Sequence, residues 1–358
     1  MATAPRIYLD HAATTRVLPE ARAAIDAAFE CWANPSSPHT EGRKSRAILE
    51  DARERVAKAL DWRHDVVFTS GASEAIGIAA HRAKVRGRLV GATEHDIVAY
   101  EMGPGAREIP VDSSGLIELD ALKVLLADGP ALVAIQHVNN ETGVIQPIDQ
   151  IAERVRSAGS LLLADCAQSA GKLPLPDADF LAVSAHKLGG PPGIGALLVK
   201  DLATLEASGG QEKGYRRGTQ DAPAAAGFAA ALESGAFAEA MPRLAQLRRR
   251  LDEGVKANGG VVVAEDSPRI PNIGAVALAG ANQASLLVQF DLAGFAVSAG
   301  SACSSGKMKQ SRVLTAMAAD PSIASSFLRI SFGPSTSEAE IDAFLGEWRR
   351  VSERSAAA

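Results

Sequence analysis

The run Phe180-Leu181-Ala182-Val183-Ser184 ends in Ala185-His186-Lys187 and then in Leu188-Gly189-Gly190-Pro191-Pro192-Gly193. A short apolar run without polar alternation suits a strand buried on both faces, as in a parallel sheet covered by helices. Polar side chains gather at its carboxyl end, and glycine and proline close it. Runs of the same kind lie to either side, at Ser160 to Ala164 and Ile194 to Val199, and further back at Ala131 to Gln136 and Val66 to Thr69. Helical patterns alternate with them at Arg43 to Leu60, Ser73 to Arg86, Pro147 to Ser157 and Ala222 to Ala238. Strands interleaved with helices imply an α/β fold with a largely parallel sheet. After about residue 240 the pattern changes. A charged helix near Pro242 to Asn258 is followed by strand-like Val261 to Val263, Ala275 to Leu278 and Phe327 to Phe332, which suggests a second, α+β domain.

A chain of 358 residues has room for about two such domains. Lys plus Arg number 37 against 42 Asp plus Glu, a net charge of −5, so no basic face for nucleic acid is expected. The basic runs Arg248-Arg249-Arg250 and Arg349-Arg350 read as solvated helix faces. No apolar stretch approaches a membrane span, and Met1 to Asp10 lacks the pattern of a secretory signal. Cys31, Cys166 and Cys303 are few, distant and without metal-ligand spacing, so neither a disulfide framework nor a metal site is expected, and the cytoplasm is the expected compartment.

In open α/β sheets, ligands collect beyond the carboxyl ends of the strands. Ser70-Gly71-Ala72-Ser73-Glu74 follows one such strand and opens a helix whose free N–H groups suit a phosphate; a plain serine cap is the simpler alternative. Asp165 and Gln168 follow another, and a buried carboxylate there calls for a cationic partner unless it caps a turn. Lys187 sits where partial desolvation would leave its amine nucleophilic, although a surface lysine beside a loop is the commoner case. Cys31 and Cys166 have apolar neighbours and read as inert. Cys303 lies in Ser298-Ala299-Gly300-Ser301-Ala302-Cys303-Ser304-Ser305-Gly306, with no apolar periodicity to bury it, and reads as an accessible thiol.

The ordered set of motifs is more specific than any one of them. Tyr8-Leu9-Asp10-His11-Ala12-Ala13-Thr14-Thr15, Asn34-Pro35-Ser36-Ser37, Thr69-Ser70-Gly71-Ala72-Ser73-Glu74 and Thr93-Glu94-His95 come first. His137-Val138-Asn139-Asn140-Glu141-Thr142-Gly143, Asp165 with Gln168, Ser184 to Lys187 and Arg217-Gly218-Thr219 follow. Gly300-Ser301-Ala302-Cys303 and Leu328-Arg329-Ile330-Ser331-Phe332-Gly333 close the series. Over nearly the whole chain this series resembles the cysteine desulfurases, class V aminotransferases of the fold-type-I pyridoxal-phosphate group.

The resemblance implies a large domain with a mainly parallel seven-stranded sheet over residues 14–240. A smaller α+β domain would be built from 1–13 and 241–358 and carry the Cys303 loop. It implies pyridoxal 5'-phosphate held covalently by Lys187, with Asp165 on the ring nitrogen, Gln168 on the ring hydroxyl and His95 stacked on the ring. Ala72, Ser73, Ser184 and His186 would surround the phosphate, joined by Thr219 from the second subunit of a homodimer. Asn140 would border the cofactor and, with Arg329, fix the carboxylate of L-cysteine, since a guanidinium fork matches two oxygens. Lys187, once displaced, would act as base at Cα, and the Cys303 thiolate would take the substrate sulfur and leave alanine. The polar chain Ser304 to Ser311, with a span of roughly 15 Å, would carry the persulfide to an acceptor protein for iron–sulfur clusters or thio-cofactors.

Three departures stand out: Ser73 replaces a common threonine, the stretch from His95 to Val111 looks shortened as if a helix were trimmed, and the chain ends soon after Trp348. A selenocysteine lyase or another class V aminotransferase is the alternative reading, though a plain aminotransferase needs no thiol. A non-catalytic relative sits poorly with Lys187, Asp165 and His95 all present, and a dinucleotide-binding protein lacks its G-x-G-x-x-G.

Overall fold

Seven strands lie side by side in the order Asp65–Thr69, Gly195–Val199, Phe180–Ser184, Leu161–Asp165, Ala131–Gln136, Gly87–Gly91 and Arg107–Ile109. Gly195–Val199 runs antiparallel to both neighbours, and the other pairs are parallel. The structure is a computed structural model, and it describes residues 6–300 and 311–357. Ala131–Gln136, Phe180–Ser184 and Gly195–Val199 are buried at every position, as their unbroken apolar runs predict.

One face of the sheet packs on the helix Ala72–Arg82, whose Ile76 and Ala79 meet Val67, Leu163 and Leu197. The other face packs on Thr40–Ala59, Ile148–Ser157 and Ala222–Glu233. The last of these is alanine-rich and buried almost all round, so it sits inside the fold rather than on its surface. A methyl on Gly227 would lie 2.5 Å from Ile25 Cγ1, so glycine lets the helix Pro19–Phe29 come this close.

The helix expected over Ala222 to Ala238 breaks at Gly235, in left-handed backbone (φ 62°), and a new helix runs over Ala236–Ala257 with Pro242 inside it. Residue 240 therefore lies within a helix. The stretch after His95 keeps a helix, Asp96–Met102, which Gly103 (φ 82°) turns into the edge strand Arg107–Ile109.

A three-stranded antiparallel sheet, Phe327–Ser331, Ile273–Ala277 and Val261–Val262, forms from the later chain. It shares an apolar core with Ala236–Ala257, Gln283–Leu292 and Glu338–Ala357. Ile7–Tyr8 pairs with Phe295–Ala296, and Asp10 bridges to Ser331, so the first residues join these later elements. Among the described residues no helix is long and apolar enough to cross a membrane.

Candidate active site

A cavity of about 400 Å³ opens beyond the carboxyl ends of the strands. Phe180–Ser184 delivers Ser184, His186 and Lys187 to its wall, and Leu161–Asp165 delivers Asp165 and then Gln168. Ala131–Gln136 leads to Asn140, Gly87–Gly91 to His95, and Asp65–Thr69 to Gly71, Ala72 and Ser73. Arg329 arrives from the three-stranded sheet. Residues more than a hundred positions apart, from Gly71 to Lys187, thus meet because the parallel strands all end on one side.

Lys187 closes a 3₁₀ turn, and its Nζ donates to the Ala12 carbonyl at 2.8 Å. Gln168 Nε2 donates to the same carbonyl at 2.9 Å, while its Oε1 is buried with no partner. An orphaned buried acceptor has a cost that a ligand hydroxyl would relieve. Asp165 accepts one bond, from the Ala167 N–H at 2.9 Å. Burial raises the pKa of its carboxyl, against the pull of the Ala167 bond, His95 and Lys187. His95 Nδ1 accepts from the Ile97 N–H at 3.2 Å, so the neutral ring carries its proton on Nε2. His186 Nδ1 lies 3.2 Å from Thr14 Oγ1, and burial, with Lys187 and Lys172 nearby, lowers its pKa to about 4.

The helix Ala72–Arg82 starts at Gly71 with φ 156° and ψ 179°, a conformation other residues rarely adopt, and no side chain caps it. A serine cap is therefore not what this turn is for. Glu74 instead reaches back to accept from the Ser70 N–H at 2.5 Å, and by helix geometry the first N–H groups face the cavity end. A methyl on Gly195 would lie 2.3 Å from the Val183 carbonyl and 2.7 Å from Gly71 Cα, so the turn fits only against glycine.

Arg329 is 3% exposed. Its Nη2 meets Asp10 Oδ1 at 2.7 Å, its Nη1 donates to the Asn140 carbonyl at 3.1 Å, and its Nε has no partner. Asp10, which sequence reasoning left without a role, holds this guanidinium at the cavity. Two further groups were also passed over. Glu94 is buried, accepts from the Gln136 N–H at 2.7 Å through Oε1, has no partner at Oε2, and burial pushes its pKa well up. Lys172 is buried without a hydrogen-bond acceptor, lies over the Phe237 ring at 4.8 Å, and burial lowers its pKa to about 7. Both stand beside residues that had been singled out, Glu94 before His95 and Lys172 soon after Gln168, and adjacency was their only signal.

Thr219 is exposed and does not line this cavity. Cys303 lies outside the described residues. Cys166 is buried, its thiol pKa raised by burial, and it takes no part in the cavity.

The model of the family "Aminotransferase class-V" matches residues 7–344. The chain belongs to that family. Within it, a cysteine desulfurase of Cereibacter sphaeroides is 35% identical, over 95% of this chain and 94% of its own. An IscS-like cysteine desulfurase of Mycobacterium tuberculosis is 36% identical, over 94% of each chain. The structure of a NifS-like protein from Rickettsia africae superposes with a TM-score of 0.86 at 29% identity, covering 97% of this chain and 99% of that one. This class-V chain therefore groups with the cysteine desulfurases, and its fold is theirs.

Proposed function

We propose that this chain is a cysteine desulfurase that uses pyridoxal 5'-phosphate to convert L-cysteine and an enzyme thiol to L-alanine and an enzyme persulfide. One observation carries the reading: Lys187, Asp165 and the unpartnered Gln168 Oε1 converge on a single cavity at the strand ends. That set fits the cofactor, offering an amine for its aldehyde, a carboxylate for its ring nitrogen and an acceptor for its hydroxyl. When bound, the cofactor supplies an electron sink for negative charge at the substrate Cα.

The residues of the chain do the rest. The first N–H groups of Ala72–Arg82, with Ser73, Ser184 and a neutral His186, hold the phosphate, and Thr219 of a second copy completes the cradle. Asp165 keeps the ring nitrogen protonated, since a buried carboxylate is tolerated ionised only beside such a partner. Arg329, oriented by Asp10, and Asn140 hold the substrate carboxylate. The Lys187 amine, which would hold the cofactor's aldehyde, would take the Cα proton of a bound substrate, and His95 would shuttle protons from Nε2. The Cys303 thiolate bonds to the substrate sulfur as the carbon–sulfur bond breaks, and Cβ gains a proton. The homodimer, the acceptor protein and a cytoplasmic setting belong to the same proposal. So does a division into 14–240 around the cofactor and 1–13 with 241–358 around the substrate arginine, supported by the apolar core that Leu9, Leu244, Leu328 and Trp348 share, while Ala275, Ala277 and Phe327 pack into the core of the large sheet.

The test is direct. Purified protein given cysteine and a reductant should release alanine and sulfide in equal amounts. Lys187→Ala should abolish both, and Cys303→Ala should abolish persulfide formation. Pyruvate or a transamination product in place of alanine would refute the assignment.

A further inference from the structure

The segment 207–221, which carries Thr219, is fastened by a buried carboxylate outside the cavity. Glu212 has no exposed side-chain surface, and its two oxygens take four bonds. Arg53 reaches both, at 2.6 and 3.0 Å, the Phe68 N–H donates at 2.8 Å, and Gln220 Nε2 donates at 3.1 Å. Gln220 is the neighbour of Thr219, so the carboxylate pins the residue next to the one assigned to the second site. Phe68 belongs to the edge strand of the large sheet, and Glu212 caps an N–H that has no strand beside it. Glu212 and Lys213 both hold left-handed backbone, φ 50° and 55°. Two such residues in succession persist only where contacts over-determine them. A second ion pair, Arg216 to Glu74 at 3.0 Å, ties the same segment to the helix that opens at the cofactor phosphate. Arg217 closes the segment on itself through the Ser208 carbonyl, at 2.9 Å.

We propose that the Arg53–Glu212 pair is a strap that shapes segment 207–221 so that Thr219 reaches the cofactor phosphate of a second copy of this chain. The proposal rests on the reading that Thr219 serves the neighbouring site. It makes Glu212 a positioning residue for a cavity its own chain does not form. A misplacement of about 1 Å at a site can cost a hundredfold, so loosening the strap has a visible effect.

Mixed dimers separate the two copies, because only a chain with Lys187 binds the cofactor covalently and absorbs in the visible. In the first arm, Glu212→Gln chains pair with Lys187→Ala chains. The absorbing cavity then belongs to the variant, and its Thr219 comes from an intact strap. In the second arm, chains carrying both substitutions pair with unaltered chains, so the absorbing cavity depends on a loosened strap. The expected result is a cofactor Kd raised at least tenfold in the second arm and within about threefold of an unaltered/Lys187→Ala dimer in the first. Loss confined to the first arm, or equal Kd in both, overturns the strap. If Glu212→Gln chains do not fold, Arg53→Met with Glu212→Met removes both charges, and the same arms and outcomes apply. Thr219→Ala in the same arms tests the underlying reading alone: no loss in either arm means that Thr219 does not serve the second site.

Discussion

Asp165 shows how much a single side chain depends on what fills the cavity. With one N–H bond and burial raising its pKa, it is poorly held as an anion without a cation in front of it. Asp165→Asn keeps the shape and removes the charge, so kcat should fall about a hundredfold or more, and cofactor affinity roughly tenfold. A visible-absorbance titration and an alanine assay read both, and unchanged kcat would remove Asp165 from the chemistry. His137 carries a different consequence. It is 8% exposed, its Nδ1 is buried without a partner, and burial lowers its pKa from 6.5 to about 4. Between those values the unfolded chain binds a proton that the folded chain refuses. Its contribution is therefore complete above pH 6.5 and drains as pH falls toward 4. At pH 5 the loss is about 2 kcal/mol. The fall in unfolding free energy from pH 7 to 5, measured in urea, should be smaller by about that amount in His137→Gln. Equal slopes would mean that His137 is not buried neutral.

At the scale of elements, most strands that hold the site were legible, because burial on both faces leaves an unbroken apolar run. Gly87–Gly91, which leads to His95, was not, since Gly87 and Arg88 open it and are only half-buried. Phe180–Ser184 and Ala131–Gln136 have the limits their sequence implies. Arg107–Ile109 had no such mark, since it lies at the sheet edge with only Ile109 buried. The break at Gly235 was hidden by apolar residues on both sides of it. In the site, the residues at strand ends could be read from the sequence, but the Arg329–Asp10 pair joins positions 319 apart and no periodicity announces it. Gly195 is where two elements depend on one missing side chain. It pairs with Thr69 on one side and Ser184 on the other, so a methyl there presses on both the phosphate turn and the strand feeding Lys187. Gly195→Ala should cost about 1–3 kcal/mol of stability and weaken cofactor binding at least tenfold. A melting curve and an absorbance titration decide it. A variant that melts lower but binds normally would show that the turn adjusts independently of the sheet.

Across the whole molecule, the cavity draws on side chains anchored in different apolar cores, and that arrangement makes a separable prediction. Lys187, Asp165 and the phosphate turn stand on strands packed in the large sheet. Arg329 stands on Phe327–Ser331, whose Leu328 and Ile330 share a core with Trp348 while Phe327 faces the core of the large sheet. Trp348 is 1% exposed and packs against Phe344 at 6.2 Å between ring centres, and Phe344 stacks on Phe290 at 4.8 Å. Truncating such a side chain costs about 3–5 kcal/mol, because the cavity left behind closes only in part. The damage in Trp348→Ala should then stay on the side of the substrate arginine. KM for cysteine should rise at least fivefold while the cofactor Kd stays within twofold, and Trp348→Phe should lie near the unaltered protein in both. If cofactor affinity fell as far as KM rose, the cores would be one mechanical block, and a division near residue 240 would have no functional meaning.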